Sequence, residues 1–209
     1  MRYLLITLAI CFFICCGTIS HKKQNRQYKE YSLQEGTKNI LIDSLNTNKS
    51  FHWFDNSLLI FGTSNKLYKT GVGFVLYDTI SNKIKFNAIG EGGDEDFIVP
   101  HFFKTIDTLD PILLLCNVGA EYTYGVRIYK LERNKIQEIG YMDIALDINP
   151  YESDTDPVPF TEISINNDTL NFSFTKQIAS NFQGLNEKIY KTGELKYIYA
   201  NDKLIKQAK

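Results

Sequence analysis

The sequence predicts an all-β protein made of antiparallel hairpins that recur with a period of about 50 residues. Three observations predict it. The stretch 73–86, GFVLYDTISNKIKF, finds a partner fifty-two residues later in 125–138, GVRIYKLERNKIQE, with Gly73 on Gly125, Tyr77 on Tyr129 and Asn82-Lys83-Ile84 on Asn134-Lys135-Ile136. Each copy follows an apolar run, LLIF at 58–61 and ILLL at 112–115. No segment longer than about ten residues has the 3.6-residue period of an amphipathic helix. The 13% aromatic content, nearly all Tyr and Phe, suits a pleated surface.

Composition narrows the class further. The 209 residues are 44% hydrophobic and 22% charged, ordinary for one globular domain with a core. Formal net charge is -1, and it becomes -2 without a leader that holds only Arg2. A nucleic-acid partner, which needs a basic face, is not expected.

Taken in order, the chain opens with Met1-Arg2 and an almost wholly apolar run over 3–16. About 14 residues is short of the roughly 20 that a helix needs to cross a bilayer, and it matches the core of a signal peptide. The end of the run, Phe13-Ile14-Cys15-Cys16-Gly17, resembles a bacterial lipoprotein signal. The resemblance implies cleavage before Cys16, lipidation of Cys16 and export to the cell envelope. Gly rather than Asp after Cys16 implies the outer membrane. Residues 1–16 are then the signal peptide. Residues 17–38, polar and mildly basic, are a tether reaching on the order of 25 Å, and residues 39–209 are a single all-β domain. Of four cysteines the mature chain keeps Cys16 and Cys116, one in the tether and one in a strand. No structural disulfide is expected, and Cys116 is expected to act as a small buried hydrophobe.

Strands are expected at 40–43, 57–62, 72–79 and 83–89. The last alternates, with Ile84, Phe86 and Ala88 on one face and Lys85 and Asn87 on the other. Residues 97–106 read as a strand broken or bulged at Pro100. Strands at 111–117, 125–131 and 135–146 follow. Residues 147–160 hold three of the five prolines and form a loop. Strands 161–166 and 170–174 flank an Asn167-Asp168 turn. Residues 177–186 allow one helical turn. Strands 187–191, 194–200 and 203–209 close the domain, and 170–174 with 193–205 reads as a degenerate third copy.

The runs LLIF and ILLLC are apolar on both faces, as in central strands covered on both sides. The apolar run, Gly-containing loop and following Gly-Φ-Φ-Φ-Tyr (Φ mostly apolar) resemble the blade repeat of FG-GAP-type propellers. Two or three units cannot close a propeller of four to eight blades. A blade-like stack and a β-sandwich both satisfy the pattern.

Chemistry has three candidate locations. Glu91, Asp94 and Asp96, with Glu95 beside them, sit on the Gly-rich turn GEGGDEDFIVPH and are the acids that could hold calcium. Their spacing departs from the regular aspartates of FG-GAP calcium loops, and a solvated acidic turn between two strands accounts for them better. With His101 close behind, the same acids could supply a hydrolase with an acid and a base. Glu152, Asp154 and Asp156 alternate as at the start of an EF-hand loop, but Pro157 stands where that loop needs Gly. Glu121, Tyr122 and Tyr124, in GAEYTYG, are the candidate partner-binding residues, since Tyr is an efficient anchor. The motifs of zinc hydrolases, serine hydrolases and phosphate-binding loops are absent from the sequence. The expectation is an envelope lipoprotein with a β-rich binding or assembly domain and no required cofactor. The alternatives are a carboxylate-dependent hydrolase using 91–96 with His101, and an inhibitor or structural component that pairs through strand edges.

Overall fold

The computed structural model describes residues 25–36, 42, 45–64, 71–89, 95–121, 123–133, 135–146, 156–180 and 187–209. The fold is all-β and antiparallel, with one 3-10 turn over Val158–Phe160. Strand β1 spans Arg26–Glu30. A first meander follows, β2 (Leu45–His52), β3 (Ser57–Ser64), β4 (Gly71–Asp78) and β5 (Lys83–Ile89), paired in that order as a four-stranded sheet. A second meander is β6 (Phe97–Lys104), β7 (Ile112–Gly119), β8 (Thr123–Glu132) and β9 (Lys135–Met142).

The C-terminal part holds β10 (Ile144–Leu146), β11 (Thr161–Asn166), β12 (Thr169–Phe174), β13 (Ile178–Ser180), β14 (Lys188–Tyr190), β15 (Leu195–Ala200) and β16 (Lys203–Ala208). Here β11, β12, β15 and β16 pair in sequence, while β13 and β14 join β10 in a small separate sheet. The turns Asn167-Asp168 and Asn201-Asp202 have positive φ at both residues. That is the turn whose twist matches a two-residue hairpin.

Strand β1 fuses the second and C-terminal meanders. It pairs with β11 on one side, Tyr28 opposite Ile163, and with β6 on the other, Lys29 opposite Lys104. The resulting nine-stranded sheet curls until its end strands nearly meet. Gly140 of β9, at φ +145°, faces Leu204 of β16, and a Cβ on Gly140 would stand 2.9 Å from the Leu204 side chain.

Alternation along the central strands fills two cores. From β7, Leu113 and Leu115 enter the hollow of the curled sheet, among Ile128, Ile163, Leu170 and Phe172. Leu114, Cys116 and Val118 enter the layer between that sheet and the first meander, among Leu59, Phe61, Phe74 and Tyr129. Phe74 and Tyr129 meet edge to face at 4.9 Å across this layer, a favoured geometry for aromatic pairs. In β3, Leu58 and Ile60 point the other way, into a smaller cluster with Leu45 and Val75. Both expected two-faced runs are therefore central strands, and the meanders stack face on face.

Several local expectations change. Residues 26–30, expected in the tether, form β1 in the middle of the large sheet. Only Tyr28 of RQYKE is buried, so the pattern reads as polar. Ile84 does not share a face with Phe86, because a bulge puts Ile84 opposite Tyr77 and Phe86 opposite Leu76. The β8–β9 ladder shifts between Ile128 and Tyr129, fifty-two residues after the shift between Leu76 and Tyr77. Strand β6 continues through Pro100. The Phe102 carbonyl accepts from Tyr31 N–H on the β1 side, so alternation aims the Pro100 nitrogen to that same side, beyond the paired stretch of β1. Residues 178–180 are a strand instead of part of a helical turn. Among the described residues no helix is long and apolar enough to cross a membrane.

Candidate functional site

Of the candidate residues, Asp96, Glu121 and Tyr124 lie at one end of the stack, where β6 and β8 begin. Asp96 is exposed at the entry to β6, and its N–H donates to the Gly119 carbonyl at 2.7 Å. Glu95 leaves the acidic cluster and is buried. Arg127 of β8 donates to it at 3.2 Å and stands 3.7 Å from Glu138. Burial disfavours the Arg127 charge, but Glu95 outweighs it and raises the guanidinium pKa. Beneath lies Tyr141, whose hydroxyl is pushed up to about 12 by burial and then by the Asp143 and Glu95 charges. Glu91 and Asp94 lie outside the described residues, as do Glu152, Asp154 and Cys16. Among the described residues no three of His, Cys, Asp and Glu are grouped to hold a metal ion.

Of the candidate partner-binding residues, Glu121 is exposed and Tyr122 lies outside the described residues. Tyr124 belongs to β8 and not to the loop. It is half-buried, and its carbonyl accepts the Tyr141 hydroxyl at 2.7 Å. The structure therefore does not present it as a loop-borne anchor beside Glu121.

His101 sits five residues along β6 from Asp96, on the order of 16 Å away at strand rise. It is held elsewhere. Nδ1 lies 3.1 Å from Glu30 of β1, and Nε2 lies 2.9 Å from Asp156 at the end of the Pro-rich segment. Asp156 also accepts from Val158 N–H at 2.9 Å. Carboxylates only accept, so an imidazole between two of them carries a proton on both nitrogens. Burial opposes that charge, and Asp156 followed by Glu30 overcomes it and raises the pKa. In this clasp His101 ties three segments together and has no free lone pair to act as a base.

The opposite end carries a feature that the residue patterns did not suggest. The loop between β6 and β7 borders a cleft of about 680 Å³, lined among others by Tyr31, Phe54, Ile106, Leu109, Ile112 and Leu131. Lys104 and Arg133 stand at its rim. Lys104 Nζ sits 3.6 Å over the Tyr31 ring, and Arg133 pairs with Asp55 at 2.7 Å. Trp53 fixes this corner by donating to the Arg133 carbonyl at 3.3 Å.

The loop itself is fastened. Arg26 donates to Asp107 at 2.8 Å and to Asp110 at 2.7 Å. Thr105 donates to Asp110 at 2.7 Å and accepts from Asp107 N–H, while Leu109 N–H donates to the Asp107 carboxylate at 2.9 Å. Tyr28 donates to the Pro111 carbonyl at 3.1 Å. On this frame Ile106 is 97% and Leu109 91% exposed, with Phe54 at 48%. Two aliphatic residues in a loop of acids and threonines gave no periodic signal. Their exposure follows from the fastening around them.

Ser180 and Lys206 also meet at hydrogen-bond distance. This is not an activated nucleophile. Ser180 is fully buried and donates its hydroxyl proton to the Asp143 carbonyl at 2.7 Å. The pair fastens β13 to β16.

No family model, curated protein or solved structure matches this chain.

Proposed function

We propose that the chain is a lipoprotein of a bacterial cell envelope, anchored to the outer membrane through Cys16, whose β-rich domain binds a protein or other envelope component. The observation that carries this reading is the pair Cys15-Cys16 closing an apolar run too short to span a bilayer. The occupied state of His101 speaks against a hydrolase built on it with Asp96. The cleft, with apolar walls that include Tyr31, Phe54, Ile112 and Leu131, suits contact with an envelope component. The shared fifty-two-residue spacing of bulges and sequence supports reading the first two meanders as copies of one unit.

The test is isolation of the tagged full chain from detergent-solubilised envelopes, with mass spectrometry of its N-terminal peptide and of co-purifying components. A diacylated or triacylated Cys16 and a stoichiometric partner are expected. An unmodified N-terminus in the soluble fraction overturns the anchored reading.

A second reading, pairing through a strand edge, is favoured by the terminal place of β5 in its sheet and by the exposed Ile84 upon it. Partner binding would then be lost on placing Pro within 83–89 and kept on altering the cleft.

A further inference from the structure

We infer that the end of the stack carrying the β6–β7 loop rests on the lipid surface, with Ile106 and Leu109 inserted among the headgroups. The inference rests on the lipoprotein reading and adds an orientation and a contact to it.

The first ground is the character of this end. Ile106 and Leu109 stand almost wholly in solvent on a loop held by Arg26, Thr105 and Tyr28. Their exposure is therefore built, not a product of fraying. Half-exposed Phe54 lines the same cleft. The neighbouring turn, fixed by Thr79 donating to the Asn56 carbonyl at 2.7 Å, adds Ile80 at 73% exposure. A patch of large apolar side chains on one end of a folded domain marks an interaction surface.

The second ground is where the chain enters the domain. Arg26, whose guanidinium grips the loop, begins β1, so Asn25 emerges beside Ile106 and Leu109. Cys16 is nine residues before Asn25. Nine residues span about 30 Å at full extension, and about 17 Å as a coil. The opposite end, with Asp96 and Glu121, is farther by a strand length, about 26 Å for eight residues. A lipid on Cys16 thus holds the apolar end nearest the bilayer.

Charge settles what kind of contact this is. The acids Asp55, Asp107, Asp110 and Glu132 offset Arg26, Lys104 and Arg133. The cleft lining itself has no basic excess, so the contact made by Ile106 and Leu109 is apolar and nearly indifferent to salt.

The test uses the full chain reconstituted in vesicles of brominated phosphatidylethanolamine and phosphatidylglycerol. Leu109→Trp and, at the far end, Ala120→Trp are compared with the unsubstituted chain, whose one tryptophan is the buried Trp53. Flotation and the N-terminal peptide mass are read in parallel. Strong quenching and a blue shift for Leu109→Trp alone, unchanged in 1 M salt, are expected. Adding Ile106→Asp should reduce membrane-seated occupancy about tenfold, the scale for one aliphatic side chain. Lipid on Cys16 and co-flotation with an unquenched Leu109→Trp overturn the contact while leaving the anchor intact. A blue shift without quenching means that protein covers this end, and also overturns it. A chain that neither floats nor carries lipid overturns the anchored reading and this inference together.

Discussion

Nε2 of His101 lies 2.9 Å from Oδ2 of Asp156, joining β6 to the segment that leads into β11. The side chains are 14% and 13% exposed, so solvent screens the contact only in part. Because the folded imidazole titrates above its ordinary value of about 6.5, the folded protein holds that proton more tightly than the unfolded chain. The stabilisation is complete below the unfolded value and is lost as pH rises through the folded one. Urea stability should therefore fall as pH rises above about 6.5, and the difference between wild type and His101→Gln should shrink over the same rise. A difference that stays constant with pH contradicts the clasp. Asp156→Asn should cost about 1–3 kcal/mol at pH 6.

Arg127, partly exposed, and buried Glu95 make a second contact with a different dependence. Arg127→Ala leaves the Glu95 carboxylate buried without its guanidinium, and a loss of about 3–5 kcal/mol is expected in chemical denaturation. The double change Arg127→Met with Glu95→Leu should recover part of that loss, because no buried charge remains. If the double variant is as unstable as the sum of the single ones, the pair is not the source of the effect.

Gly140 permits the end strands to close. At φ +145° an L side chain is strained, and its Cβ would meet Leu204. Gly140→Ala should lower stability by about 1–3 kcal/mol, seen as a shift in the urea midpoint. An unchanged midpoint would mean that β9 and β16 do not depend on this approach.

Cys116 is buried in the layer between the first two meanders, and burial pushes its thiol well above the ordinary range. An aromatic disulfide reagent at pH 8 should leave it untouched in the folded protein and modify it at once in denaturant. Fast modification without denaturant would place the thiol at a surface.

Much of the scaffold was legible because strand chemistry is local. LLIF and ILLLC announce central strands by leaving no polar face, and Asn167-Asp168 announces a hairpin turn by tolerating positive φ. Strand β1 was hidden because its neighbours supply what its own sequence lacks. Arg26 is neutralised by Asp107 and Asp110 from far along the chain, and Tyr28 alone faces the core. The displacement of Ile84 was equally hidden, since a bulge depends on both strands of a ladder. The apolar tip at Ile106 and Leu109 was missed for a related reason. Two isolated aliphatic residues become conspicuous only when a loop is seen to hold them outward.

The position of β1 also bears on how the sheet is assembled. It is the first of the described strands, yet its partners are β6 and, much later in the chain, β11, where Tyr28 meets Ile163. The meanders that flank it pair strands close in sequence, apart from the β12–β15 link, which carries β13 and β14. The join between them must wait for sequence-distant encounters, which are slow. Until β11 exists, the N-terminal strand has one of its two edges bare. The middle of the curled sheet is thus its longest-range join, made by the first of the described strands.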